Sequence, residues 1–354
     1  MKTGSLSLLT LLVCCTTAAW AKVHKFSPEF QAVYDAATTP EVQKAQRKGA
    51  KAKIVFRVVD DAGTPITNTV VKGTWQNDYP RKTWKETFVT DDKGVFVAKG
   101  KVGGRFSCHI WKDGYYSSCA GVNFHWRAGI SPLVKDGKWQ PYGEEKMIIL
   151  KRKKNPIDLQ CHVWGNTGYN APVTNEWVGL DFEKGQWCSP YGAGEHEDVL
   201  VRFSGVVIDD FTWDTITEVS FTNVPYAGYY EMSKDVYSDM KSCYAASTNG
   251  ALYVNRTMTF VSHGARGIPP NRQTTDKLAE NKYIVFRTRC VVDDEGNLVS
   301  AHYGKLMGEF DGGFMALGFR CAYGDQCGIF FNPTPNDTNL EDMETINRMK
   351  LMGR

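Results

Sequence analysis

The chain has 354 residues, a net charge of +3 and 12% aromatic residues, with ten tryptophans. That length fits two domains of ordinary size, and so small a charge supplies no field for gathering nucleic acid. Beyond Ala21 no apolar run approaches the roughly 20 residues that cross a bilayer as a helix.

Lys2 precedes an apolar stretch at residues 6–13, and Ala19-Trp20-Ala21 closes it in the small-x-small pattern of a signal-peptidase site. The pattern predicts export, with Lys22 as the first mature residue and a secreted, periplasmic or cell-surface destination. The rival is acylation at Cys14 or Cys15, which Val13 and Cys14 disfavour by standing where such a site wants a small residue. An oxidising destination makes disulfides the expected state of the later cysteines.

Residues 22–50 predict a helical lead-in. Ser27-Pro28-Glu29 and Thr39-Pro40-Glu41 each place a capping hydroxyl before a proline suited to the first helical turn. Strands follow at residues 54–60, 69–75, 83–90, 95–99, 105–111 and 146–151. Asp60-Asp61-Ala62-Gly63, Asp91-Asp92-Lys93-Gly94 and Asp113-Gly114 lie between them as turns. So many short strands within about 100 residues indicate an antiparallel sandwich.

The strand leading into Asp60-Asp61-Ala62-Gly63-Thr64-Pro65-Ile66, then Thr90-Asp91-Asp92-Lys93-Gly94-Val95-Phe96, Gly104-Arg105-Phe106 and Lys112-Asp113-Gly114-Tyr115 carry a family resemblance. Over residues 52–150 the chain resembles the carboxypeptidase regulatory-like domain. The resemblance implies a transthyretin-type, Ig-like β-sandwich that serves as a non-catalytic accessory module in secreted and surface proteins, and it transfers no catalytic residue. The chain departs from the pattern by an insertion at residues 123–143 and by Cys108 and Cys119.

Lys151-Arg152-Lys153-Lys154-Asn155-Pro156 reads as a solvated, extended linker. The larger second part, residues 154–354, matches no family pattern and also reads as mainly β, with strands at 200–208, 218–224, 252–261, 283–292 and 327–331. Asp293-Asp294-Glu295-Gly296-Asn297 predicts a hairpin turn. Ile284-Val285-Phe286-Arg287 echoes Ile54-Val55-Phe56-Arg57 as shared strand-and-turn chemistry. A closing helix capped by Asn336, Asp337 or Thr338 would carry Leu340, Met343, Ile346 and Met349. The mature chain is thus expected to have short helices at both ends.

Removal of the leader leaves eight of the ten cysteines. Cys108 and Cys119 lie symmetrically about Asp113-Gly114 and would face each other across a two-residue hairpin. Cys321 and Cys327 flank Gly324-Asp325, which leaves Cys161, Cys188, Cys243 and Cys290 to pair among themselves. Thiolate metal binding is the alternative, but no Cys-x-x-Cys pair supports it. Neither a metal nor another cofactor is expected.

The best candidate site runs from Trp187 through Cys188, Tyr191, Glu195, His196 and Glu197 to Asp198. Three carboxylates and an imidazole suit a hard cation or acid–base work, although a polar loop before a strand accounts for them equally. A second cluster sets Asp209, Asp210 and Asp214 around Phe211 and Trp213, the vocabulary of a glycosidase cleft or of a plain turn. His162 reads as a strand residue, and His263 has no nucleophile elbow to serve. Asn255-Arg256-Thr257 and Asn336-Asp337-Thr338 fit the N-glycosylation pattern of a eukaryotic source. The expected function is binding or structural, with a glycan or a surface protein as partner and with Trp187, Tyr191 and Trp213 supplying rings. A carbohydrate-active hydrolase is the alternative.

Overall fold

The computed structural model describes residues 39–78, 80–124, 133–163, 169–209, 212–221, 224–235, 237–265, 268–274, 281–311, 316–320 and 328–343. The chain divides into two compact units between Arg152 and Lys153. Its fold is mainly β throughout. Among the described residues no helix is long and apolar enough to cross a membrane.

Unit 1 opens with α1 (Pro40–Lys48), where Thr39 Oγ1 accepts from Val42 N at 3.3 Å and Pro40 begins the first turn. This is the second of the two helix starts read from the sequence; the one at Ser27 lies outside the described residues. Nine strands follow: β1 (Ala50–Asp60), β2 (Val70–Asp78), β3 (Arg81–Val89), β4 (Val95–Val102), β5 (Arg105–Ile110), β6 (Ser118–Asn123), β7 (Val134–Lys135), β8 (Lys138–Trp139) and β9 (Glu144–Leu150). One sheet runs β4-β1-β8-β7, with β9 also on β1, and the other runs β3-β2-β5-β6. Phe56 and Phe96 of the first sheet meet Phe106 and Phe88 of the second, with ring centroids 5.4–5.8 Å apart. Trp75 is fully buried beside them, and Gly100 leaves it room, since a Cβ there would lie 3.0 Å from the indole.

Two features depart from expectation. β1 and β9 pair in parallel, from Ile54 opposite Glu144 to Asp60 opposite Leu150, so the sandwich is not purely antiparallel. The β5–β6 connection spans seven residues rather than two, and its register sets Cys108 opposite Ala120 and Cys119 opposite His109. A one-residue offset sends side chains to opposite faces of a sheet. Cys108 is buried in the core and Cys119 is half-buried, so the expected Cys108–Cys119 bridge is not formed.

Unit 2 contains β10 (Gln160–Val163), β11 (Tyr169–Asn170), β12 (Trp177–Asp181), β13 (Gln186–Trp187), β14 (Val199–Asp209), β15 (Thr212–Phe221) and β16 (Gly228–Ser233). It continues with β17 (Met258–Ala265), β18 (Ile268–Thr274), β19 (Lys282–Val292), β20 (Leu298–Met307), β21 (Glu309–Asp311), β22 (Ala316–Arg320) and β23 (Gly328–Phe331). Two sheets, β13-β12-β14-β15-β17-β18 and β10-β23-β20-β19-β16, enclose a core containing Phe182, Phe203, Phe221, Phe286, Ile329 and Phe331. The second face of the β19 sheet carries another core around Tyr283, Val285, Ala301 and Leu340. A Cβ at Gly304 of β20 would collide with the Phe286 ring. Gly304→Ala is therefore expected to destabilise unit 2 by about 3 kcal/mol through overpacking, measured as a lowered urea midpoint.

The expected closing helix does not begin at residues 336–338. Leu340 is buried, yet the chain around it is extended and bridges Asn339 to Ala245 and Asp342 to Ile157. Side chains compete for the backbone here. Asn332 Oδ1 accepts from Thr334 N, Asp337 Oδ1 from Asn339 N and Asn339 Oδ1 from Glu341 N, at 2.9–3.0 Å. Such turns replace the helical ladder. Ile346 and Met349 lie outside the described residues.

Nor do the second-unit cysteines pair as expected. Cys161 on β10 and Cys290 on β19 are separated by β23 and β20, three strand spacings of about 4.8 Å each, against a limit of about 7 Å between disulfide-linked Cα atoms. Cys188 Sγ turns to the His196 carbonyl at 3.4 Å. Among the described residues no two cysteines are joined. Cys321 and Cys327 lie outside them.

Candidate functional site

The sequence candidates from Trp187 to Asp198 form a loop held by one arginine that the sequence reading did not single out. Along β19 the alternation of a strand turns Tyr283 and Val285 toward one core and Ile284 and Phe286 toward the other. The register against β20 slips between Thr288 and Val291, and Arg289 adopts a φ of 51°. This bulge re-aims the Arg289 side chain, so that it reaches the same carboxylate as its neighbour Thr288.

That carboxylate is Asp198. Its Oδ1 accepts from Thr288 Oγ1 at 2.9 Å and Arg289 Nε at 3.0 Å, while Oδ2 accepts from Phe182 N at 2.8 Å and Arg289 Nη2 at 3.0 Å. Arg289 Nη2 also donates to Asp181 Oδ1 at 2.9 Å, and Nη1 pairs with Glu183. The guanidinium lies 4.5 Å over the Phe331 ring. Asp181 in turn accepts the backbone N–H groups of Glu183, Lys184, Glu195 and His196 at 2.9–3.1 Å. One buried carboxylate thus holds both limbs of the loop, and the Asp198–Arg289 fork ties the loop to the opposite sheet.

The two aspartates titrate in opposite directions. Burial would raise Asp181, but the N–H groups of Lys184, Glu195 and His196, together with Arg289, outweigh it and hold the carboxyl below its ordinary value. For Asp198 burial dominates despite Arg289, and the carboxyl is raised. A depressed carboxyl stabilises the fold above its unfolded pKa, and that contribution is lost as pH falls through the folded value. A raised carboxyl behaves in reverse: the folded state holds its proton more tightly, so its contribution declines as pH rises through the window above the unfolded value. Asp181→Asn is therefore expected to flatten the acid limb of unit 2 stability, read from urea midpoints between about pH 3 and pH 6, the range around an ordinary carboxyl.

Asp198 has every lone-pair direction used, so it serves as a structural latch beneath the cleft. Trp187 is 8% exposed, packs edge-on against Phe203 and donates from Nε1 to the Asn170 carbonyl at 3.1 Å. It is a core residue and offers no ring to a ligand. Tyr191, Glu195, His196 and Glu197 are exposed, with Glu195 paired to Lys184 at 2.6 Å. Trp213 and Asp214 are neighbours on β15 and so face opposite sides of the sheet. Asp210 and Phe211 lie outside the described residues. His162 packs on the 182–185 turn, its Nε2 lying 2.6 Å from the Glu183 carbonyl oxygen.

The latch fixes one wall of an open cleft of about 620 Å³, lined by Glu195, His196, Glu197, Thr288, Ser300 and His302 among others. His302 is stacked on Phe331 with centroids 5.3 Å apart, and its Nδ1 lies 3.1 Å from the Asn332 carbonyl oxygen. The arrangement offers exposed carboxylates, imidazoles and hydroxyls on a rigid base. Arg289 was legible only as an anomaly, since Arg287-Thr288-Arg289 interrupts an otherwise apolar strand; Asp181 left no such signal.

The chain matches no family model and no curated protein. Among solved structures it is similar to 3-chlorocatechol 1,2-dioxygenase from Rhodococcus opacus 1CP, at 16% identity and a TM-score of 0.24, over 30% of this chain and 62% of that one. It is also similar to the shaft pilin spaA from Lactobacillus rhamnosus GG, at 12% identity and a TM-score of 0.21, over 78% and 97% of the two chains. For the full-length major pilin SpaD from Corynebacterium diphtheriae the values are 9%, 0.22, 85% and 81%. The chain thus spans less than two thirds of the dioxygenase, and at these TM-scores none of the likenesses bears on function.

Proposed function

We propose that the chain is an exported, non-catalytic binding protein whose second unit presents the Glu195–Glu197 cleft to a glycan. The carrying observation is the latch. Asp181, Asp198 and Arg289 saturate one another and the loop backbone, so the exposed Glu195, His196 and Glu197 are held in place before any ligand arrives. Pre-organised polar groups bind at lower entropic cost. The deeper carboxylates are too fully engaged for acid–base work. The leader-like first 21 residues support export, and the resemblance of residues 52–150 to an accessory module supports a positioning role for unit 1.

The test is a glycan array on the full chain, followed by calorimetry and a reducing-sugar assay on the hits. Saturable binding without product release is expected, weakened at least tenfold by the double substitution His196→Ala and Glu197→Gln. Release of product would install the hydrolase reading instead, and an array without hits would favour a structural subunit. Intact mass of exported material should begin at Lys22.

A further inference from the structure

Arg287 occupies the face of β19 opposite Phe286 and is 1% exposed. Its Nε donates to the Tyr226 carbonyl at 2.7 Å. The guanidinium lies 4.0 Å over the Tyr253 ring and 5.8 Å from that of Tyr226. Both phenol hydroxyls are committed elsewhere, Tyr253 to the Ser247 carbonyl at 2.7 Å and Tyr226 to that of Gly296 at 2.8 Å. The rings are thereby fixed around the cation.

What the cation lacks is an anion. Arg287 Nη2 is buried and has no hydrogen-bond partner among the described residues, and no carboxylate pairs with the guanidinium there. A guanidinium cannot shed its proton, and a buried charge left uncompensated is strongly disfavoured. The Cys290 thiol lies beside it. Burial pushes that thiol up to about 11 against the pull of Arg287, so it remains neutral and brings no counter-charge. The contrast with Arg289, two residues on and surrounded by carboxylates, is complete.

The groups around this guanidinium are also the walls of a cleft. A space of about 570 Å³ is lined by Tyr226, Gly250, Tyr253 and Asn255 together with residues 224, 225 and 227. Gly250 is exposed, and the position its absent Cβ would take lies 3.7 Å from Arg287 Nη2. Nη2 itself is buried and lies just behind the cleft wall, at Gly250, a residue with no side chain.

We propose that this cleft is a receptor for an oxyanion, a carboxylate, sulfate or phosphate group on a small ligand. Arg287 Nη2 donates to its oxygens, and Tyr226 and Tyr253 flank the ligand body. The guanidinium fork matches the geometry of such groups. This site shares only the Val224 edge with the Glu195–Glu197 cleft, and it stands whether or not that cleft binds a glycan.

The experiment measures thermal unfolding of the full chain against rising sodium glucuronate, sulfate and phosphate, with glucose as the neutral control. Sulfate and phosphate strengthen folding generally, so the reading is the difference between wild type and two variants. Gly250→Val obstructs the cleft and keeps the charge. Arg287→Met removes the charge at similar volume. At least one anion is expected to raise the wild-type midpoint saturably, with the apparent Kd weakened at least tenfold in Gly250→Val and the saturable response lost in Arg287→Met. Without ligand, Arg287→Met should unfold no earlier than wild type. Which of the three anions acts identifies the group. Responses equal in wild type and Gly250→Val, or no saturable response to any anion, overturn the proposal, and the Gly250→Val arm decides it even if Arg287→Met does not fold.

Discussion

Replacing Asp198 with alanine is expected to destabilise unit 2 by about 3–5 kcal/mol, the cost of breaking a buried, hydrogen-bonded ionic network. The carboxylate has 0% side-chain exposure and Arg289 13%, so water does little to replace the lost pair, although Arg289 keeps Asp181 and Glu183. The loss extends beyond charge. Thr288 Oγ1 and Phe182 N also donate to Asp198 at 2.9 and 2.8 Å, and both would be left buried without an acceptor. Hydrogen exchange would show it as early opening of residues 181–198 and of β19 together, because the fork joins the two sheets. Asp198→Asn, which keeps an acceptor for part of the network, should cost less. In a double-mutant cycle, Arg289→Met should recover much of the loss. Additive losses would mean that the fork contributes no coupling.

Lys305→Ala is expected to cost unit 2 a similar amount, about 3–5 kcal/mol. The ammonium of Lys305 is 3% exposed, against 2% for its partner Asp342. Nζ donates to Ser242 Oγ at 2.9 Å, to the Leu340 carbonyl at 2.8 Å and to the Asp342 carboxylate. These bonds pin the extended 339–343 segment against β20. Truncation removes the cation, opens a cavity and takes its ion-pair partner from a buried carboxylate. Exchange protection should therefore fall first in residues 339–343. The paired replacement Lys305→Met with Asp342→Leu should restore most of the stability, since an apolar pair of similar size replaces a buried ion pair without desolvation cost. Restoration by Lys305→Met alone would show that the pair is not needed to hold the segment.

What was legible in the sequence was local. Asp60, Asp91 and Asp293 each end a strand and turn back to accept N–H groups two to four residues on, which is why those turns could be placed from short patterns. The echo of Ile54–Arg57 in Ile284–Arg287 proved to be two central strands, each with a phenylalanine in its core. The first arginine of the echo is exposed on Glu145 and the second is buried; sequence alone does not separate them. The Cys108–Cys119 bridge failed because a pairing register depends on how many residues the connection spends, and Asp113-Gly114 does not reveal that it spends seven. The Trp187–Asp198 loop was found as a candidate, but its organisation was not. Arg289 reaches it from 91 positions away through a bulge, and neither bulge nor distance leaves a local signature. The helix start at residues 336–338 was overruled by asparagine and aspartate side chains whose backbone bonds compete with any apolar spacing; the residues after Met343 lie outside the described ones.

The parallel union of β1 with β9 bears on how the polypeptide matures as it is made. β1 receives β4 on one side early, but its other long edge waits for residues 144–150, some 90 positions downstream. A nascent chain stopped before that segment emerges would display Val55, Arg57 and their neighbours along an open margin, competent to recruit a strand from another molecule. Vectorial synthesis thus leaves unit 1 adhesive for most of its length and seals it only with its last strand.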